Sequence, residues 1–373
     1  AVVIVVGGCK DFSVPEDPLV SPGQVDRIAG ILGLSEEQKA SARDLYGAYR
    51  GEFDLARGKL TDFYRRADRV HETTGDDAAV KAKERAKEKF DGHVAALRTR
   101  LIEDLHELVT PEQMAKWPLV ERRLRRDELG EWGGLHGSGI DVAAVFEHIE
   151  KPGDRASRVA EIIDQYEDSI DRPLIEGRRV KGEWARREER LKKSAAAPDP
   201  AEQQRATTAF LSRLLTISQS MQRVNMRTVG ELEDALPTAR AAEFRDEFNG
   251  RAFGEMFTPG SFMTLVAEVE RLDDLTAKQR ERIDALREEY LGEVRRTGAV
   301  WAKAVVAWEQ SKSVNAEGGE ENKDEPPSVT SAKAAREALE PRYRKSVAGL
   351  LTPSQLEQFP GLDGREALGE IEF

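Results

Sequence analysis

Apolar residues along the chain recur mostly at steps of three, four and seven, the spacing that lines one face of a helix. Leu45, Tyr49, Phe53 and Leu60 form one such stripe. Displaced by 241 positions it becomes Leu286, Tyr290, Val294 and Trp301; displaced by 117, its start becomes Ile162, Tyr166 and Ile170. A returning stripe, Leu97, Leu101, Leu105 and Leu108, reappears 242 positions later as Leu339, Tyr343, Val347 and Leu350. The alternation that marks strands is scarce. This pattern predicts an all-α, elongated protein of three repeated long antiparallel helical hairpins. The expected units are 24–131, a degenerate 132–254, and 255–373, preceded by a tether over 1–23. Each unit opens with a short helix, over Val25–Leu32, Val142–Ile149 and Leu265–Leu272. Each turns at a polar tip, over 73–77, 195–200 and the acidic stretch 315–328, where no regular structure is expected.

Four segments punctuate this pattern. Leu34-Ser35-Glu36-Glu37-Gln38 and Leu275-Thr276-Ala277-Lys278-Gln279 open the first and third units. Val109-Thr110-Pro111-Glu112-Gln113 and Leu351-Thr352-Pro353-Ser354-Gln355 close them, 75 and 76 positions later. A Ser or Thr at the N-cap accepts a hydrogen bond from the third helical amide, and a Gln three positions on reaches back to the cap amide. Pro111 and Pro353 sit at the first helical position, where a missing N–H costs nothing. Val109 and Leu351, just before their caps, are placed to pack on Met114 and Leu356. The middle unit has lost its opening cap to Lys151–Arg155 and closes with Leu236-Pro237-Thr238; Pro173 is expected to kink its first helix.

The L-[ST]-x-x-Q pairs resemble the LTxxQ-motif family of periplasmic proteins, the Spy/CpxP-like refolding chaperones and stress sensors. In that family one all-α hairpin is bounded by two such motifs, matched here by Leu34, Ser35, Gln38 with Val109, Thr110, Gln113, and by Leu275, Thr276, Gln279 with Leu351, Thr352, Gln355. The resemblance implies an ATP-independent, cofactor-free protein of the periplasm or cell envelope that binds unfolded or partly folded clients, and it allows a homodimer. This chain departs from it in carrying three fused units and in being acidic, where the family's client-binding face is basic.

Charge and chemistry narrow the reading further. The net charge is −12, which argues against nucleic-acid binding. A single cysteine, Cys9, follows Ala1–Val6 and two glycines like a lipobox after a signal-peptide core, so lipidation at Cys9 is the expected membrane link. The prolines at 15, 18 and 22 suit a tether. No Ser/His/Asp or Cys/His grouping suggests catalysis, and the five histidines show no metal-ligand spacing. His71 and His93 could face each other across the first hairpin tip and serve a metal-responsive sensor, as some relatives of the family bind metals. The glycine-rich run 133–139 lacks the preceding strand of a phosphate loop and reads as a linker. The aromatic stripes, Tyr46, Tyr49, Phe53, Phe63, Tyr64, Trp301 and Trp308, read as hairpin cores or, where left open, as a groove for clients. A non-catalytic envelope scaffold is the rival function.

Overall fold

The computed structural model describes residues 14–74, 77–149, 157–194, 199–314, 320–321, 324–359 and 362. The fold is all-α. Contacts group the chain into two compact units, Ile4–Arg125 and Arg126–Phe373.

In the first unit, α1 (Pro22–Leu32) leads into the long α2 (Glu36–Thr74), which packs antiparallel on α3 (Asp77–Glu107). The register places Phe53 against Phe90 near the middle and Asp68 against Lys83 toward the tip. Two short helices close the unit, α4 (Pro111–Met114) and α5 (Trp117–Arg126), whose last residue belongs to the second unit. The predicted stripe is the core: Tyr49, Leu97, Leu101 and Leu105 bury with Ile28 and Leu32 of α1 and with Trp117, while Phe53, Leu60, Tyr64, Phe90 and Val94 fill the hairpin above them.

The tether expected over 1–23 is overturned for its second half. Val14 packs against the Phe53 cluster, Val20 is fully buried, and Ser21 caps α1 with Gln24 in a capping box. Val20-Ser21-Pro22-Gly23-Gln24 repeats the chemistry of Val109-Thr110-Pro111-Glu112-Gln113 and could have been read from sequence on the same grounds. Cys9 and the rest of 1–13 lie outside the described residues.

In the second unit a 3₁₀ turn (Leu129–Trp132) and α6 (Val142–Ile149) precede a second long pair, α7 (Ser157–Lys193) and α8 (Pro200–Ala235). Helix α7 continues through Pro173. Arg187–Glu202 and Arg213 with Glu176 and Glu183 run along this pair in antiparallel order. Then come α9 (Thr238–Ala252), α10 (Gly254–Phe257), α11 (Phe262–Val269) and the long α12 (Ala277–Ser311). Helix α9 starts at Thr238 with Pro237 at its cap and no side-chain cap bond, so the middle pair lacks the closing motif. Its opening, 151–155, lies outside the described residues.

The partner of α12 is split into α13 (Pro327–Glu337) and α14 (Leu339–Ala348), followed by α15 (Pro353–Leu356), where the stripe predicted a single return helix. Pro341 explains the break. It has no N–H for the Glu337 carbonyl four positions back, and its ring crowds that carbonyl. The acidic stretch 315–328 is also partly ordered, contrary to expectation: β1 (Ser313–Val314) pairs antiparallel with β2 (Glu320–Glu321), Ser313 opposite Glu321.

Two cores hold the second unit. Tyr290, Tyr343, Phe262 and Val347 pack with the ends of α12 and α14. The other core runs from Phe146, Ile162, Tyr166, Phe244 and Phe248 to Trp301, Val305 and Val329, so segments 132–254 and 255–373 share apolar interior. Arg126, 2% exposed, lies 3.0 Å from Asp141 and pairs with Glu167 inside this core.

One hydrogen bond recurs in all three helix pairs. The Tyr49 hydroxyl accepts from the Val20 amide at 3.2 Å, Tyr166 from Val142 at 3.1 Å and Tyr290 from Gly260 at 3.0 Å. These are the tyrosines related by 117 and 241 positions. Each pins the segment that leads into the hairpin to the long helix, satisfying a backbone donor with no other partner in a helix start.

Replacing each tyrosine by phenylalanine is expected to cost about 1–3 kcal/mol, because a buried amide is left without an acceptor. Tyr49→Phe and Tyr166→Phe, which orphan the amides of fully buried Val20 and Val142, should cost more than Tyr290→Phe, whose Gly260 donor is only half-buried. Urea denaturation of the three single variants checks the magnitude and the order.

Candidate functional site

All four predicted caps form. Ser35, Thr110, Thr276 and Thr352 each accept from the amide of the Gln three positions on, at 3.2–3.4 Å, and each Gln Oε1 accepts from the cap amide at 2.9 Å. Sequence alone accounts for that much. The structure adds that the caps meet in pairs.

Gln38 Nε2 donates to Gln113 Oε1 at 2.9 Å, and Gln113 Nε2 returns a bond to Gln38 Oε1 at 3.0 Å. Each Nε2 also reaches the carbonyl two residues before the partner's cap, Gln38 to Leu108 and Gln113 to Gly33. The third helix pair repeats the plan. Gln279 Nε2 donates to Gln355 Oε1 at 2.9 Å and to the Leu350 carbonyl at 2.8 Å, while Gln355 Nε2 reaches Asp274 at 3.3 Å. A glutamate would keep the cap but lose both donors, which is why the third position carries an amide. Leu34, Val109, Leu275 and Leu351 lie in the cores beside the clasps. Pro111 and Pro353 occupy the first positions of α4 and α15.

The clasp is a frame, and the candidate binding surface lies farther up the first hairpin. Glu52, Leu55, Ala56, Lys59, Leu60 and Phe63 of α2 follow one another at steps of three and one, and so share a face. Opposite them stand Ala86, Lys89, Phe90 and His93 of α3. Together they line a groove of about 600 Å³. Leu60 and Phe90 form its buried floor, Phe63 is half-buried, and Leu55 is 61% exposed on its lip. Lys59 and Lys89 are exposed on opposite walls and make no ion pair among the described residues, whereas Glu52 lies 3.9 Å from Arg100. The groove is apolar inside and mostly cationic at the rim.

Of the aromatic stripes, Tyr49, Phe53, Tyr64 and Trp301 are consumed by the cores, and Phe63 alone of those residues lines the groove. Leu55 and Lys59 lie off the 45/49/53/60 stripe of α2, and Lys89 precedes the 97/101/105/108 stripe of α3. Widening the α2 stripe by one helical position includes Leu55 and Lys59; Lys89 is placed opposite them only by the pairing of the two helices.

The sensor geometry fails. Asp68 lies against Lys83 and Phe53 against Phe90, so His71 lies toward the tip and His93 at the level of Phe53. At 1.5 Å per residue they stand about 25 Å apart along the pair. Among the described residues no group of three or more His, Cys, Asp or Glu side chains could hold a metal ion. No described helix is long and apolar enough to cross a membrane.

The glycine-rich run 133–139, expected as a linker, is instead built into the second unit. Gly137 has φ +74°, and a Cβ there would lie 2.7 Å from the Met226 methyl; one on Gly139 would lie 3.0 Å from the Gly133 amide and the Leu129 carbonyl. Asn225 of α8 donates to the Gly137 and Ile140 carbonyls at 2.7 and 2.8 Å. These glycines serve close packing.

Comparison of the chain with family models, curated proteins and solved structures finds no match.

Two predictions separate frame from surface. Gln113→Glu and Gln355→Glu should each destabilise their unit by about 1–3 kcal/mol, and each should cost more than removing the cap hydroxyl, Thr110→Ala or Thr352→Ala, at about 1 kcal/mol. Chemical denaturation, with a Gln38/Gln113 double-mutant cycle, measures both. Leu55→Ser should change stability by less than about 0.5 kcal/mol, whereas Phe90→Ala should cost about 3–5 kcal/mol; the same unfolding curves report it.

Proposed function

We propose that this chain is an ATP-independent helical protein of LTxxQ type that binds exposed apolar segments of unfolded or partly folded proteins. The observation that carries this reading is the α2–α3 groove, with apolar surface from Leu55 and Phe63 left open beside a filled core and, on both walls, lysines without an ion pair among the described residues. Apolar contact would supply affinity, and the charged rim would speed encounter and keep binding reversible. The residues assembled at the groove bind; none is arranged to transfer a proton or attack a bond.

The repeat belongs to the same proposal. Three hairpins with the tyrosine bond in common, two of them closed by paired glutamines, are read as copies of one LTxxQ-like unit. The middle copy has traded its clasp for the shared core around Phe146 and Phe244. Placement in the cell envelope belongs to the same resemblance, as does a homodimer; a lipid on Cys9 is proposed from the lipobox-like Ala1–Val6, Gly7 and Gly8 before it. A passive spacer or scaffold is the second reading, favoured by how much of the aromatic stripe the cores absorb.

The two readings part in an aggregation-suppression assay with a reduced, unfolding client. Equimolar protein is expected to suppress light scattering, and a Leu55→Asp/Phe63→Ser variant that keeps its helical circular dichroism is expected to lose most of that effect. Wild-type protein without suppression would leave the scaffold.

A further inference from the structure

Glu309, near the end of α12, carries a carboxylate that is 2% exposed. A buried carboxylate is tolerated only with donors around it. Here they come from two other parts of the second unit. The His136 amide donates at 3.2 Å and His136 Nδ1 lies 2.7 Å away, both from the glycine-rich loop, and Gln222 Nε2 of α8 donates at 2.6 Å. Gln222 Nε2 also holds the His136 carbonyl at 3.0 Å, and Gln219 Nε2 holds the Glu309 and Lys312 carbonyls. The imidazole stacks on Phe253 with ring centroids 5.9 Å apart. One carboxylate therefore ties loop 133–139, α8 and α12 together, and among its donors only the imidazole changes charge near neutral pH.

We propose that the His136–Glu309 pair is a protonation-dependent latch, holding the glycine-rich loop against α8 and α12 when the imidazole is charged and loosening when it is neutral. The other charged groups facing His136 are Glu255 of α10, which favours the cation, and Lys312 beyond α12, which opposes it. Arg251 of α9 lines a cavity together with His136 and is paired with Glu247. Lys312 itself is engaged over the Trp308 ring at 4.1 Å. The balance favours the proton: chiefly through the Glu309 hydrogen bond, and against the effect of burial, the imidazole is held above its ordinary pKa of 6.5. A raised pKa in the folded state fixes the sign. The contribution is complete below pH 6.5 and is lost as pH rises through the folded-state value.

Hydrogen–deuterium exchange of peptides covering 133–140, corrected for the intrinsic rate, reads the latch directly. Between pH 6 and pH 9 protection there is expected to fall about tenfold, the lower end for a hydrogen bond to a charged group, while peptides of α2 and α3 hold constant. In His136→Gln, which keeps a neutral donor, protection should be low and independent of pH. Equal wild-type protection at both pH values would overturn the latch, as would a His136→Gln profile identical to wild type. If that variant does not fold, NMR titration of His136 in the wild-type chain decides: an imidazole pKa at or below the ordinary value overturns the proposal, and one above it supports it.

Discussion

A primary amide has two protons and an oxygen with two lone pairs, and in the first hairpin both paired glutamines use all four sites. That saturation is what joins the two ends of a hairpin. A helix of about thirty to forty residues can slide or fray along its partner with little penalty per turn, because apolar stripes are tolerant of small shifts. The Gln38–Gln113 bond has no such tolerance. It sets where α2 begins relative to where α3 ends, and every contact above it inherits that register, from Tyr49 beneath the Val20 amide to Phe53 against Phe90.

The third helix pair shows the same constraint with a small variation. Gln279 Oε1 accepts from the Thr276 hydroxyl at 2.9 Å, and the amide bond runs from Gln279 to Gln355. The middle pair has no clasp among its described residues and is held differently. Apolar burial around Phe146, Tyr166 and Phe244 extends into α12 and α13, and the buried Arg126 is compensated by Asp141 and Glu167. Loss of a specific polar lock is offset by a larger shared core, and the second unit becomes one body.

This arrangement also shapes the proposed binding surface. With register fixed below and the core filled by Phe53, Leu60, Phe90 and Val94, the neighbouring residues Leu55 and Phe63 have no further partner among the described residues to bury them. A thin two-helix layer cannot cover both of its faces. The exposed apolar strip, flanked by Lys59 and Lys89, is a consequence of building with hairpins, and the proposed function uses it.

Local chemistry determined much of this. Helix class, the lead-in helices of the first and middle pairs and all four caps depend on residues within a few positions of one another, and each was legible in the chain; the third lead-in, α11, lies three residues before the expected Leu265–Leu272. The Ser21–Gln24 capping box and the break that Pro341 forces between α13 and α14 are equally local in origin. Tertiary structure decided what sequence separation hides. The pairing of Gln38 with Gln113 spans 75 residues, and that of Glu309 with His136 spans 173. A buried donor or acceptor takes whichever partner the fold brings near, and no periodicity along the chain records that choice.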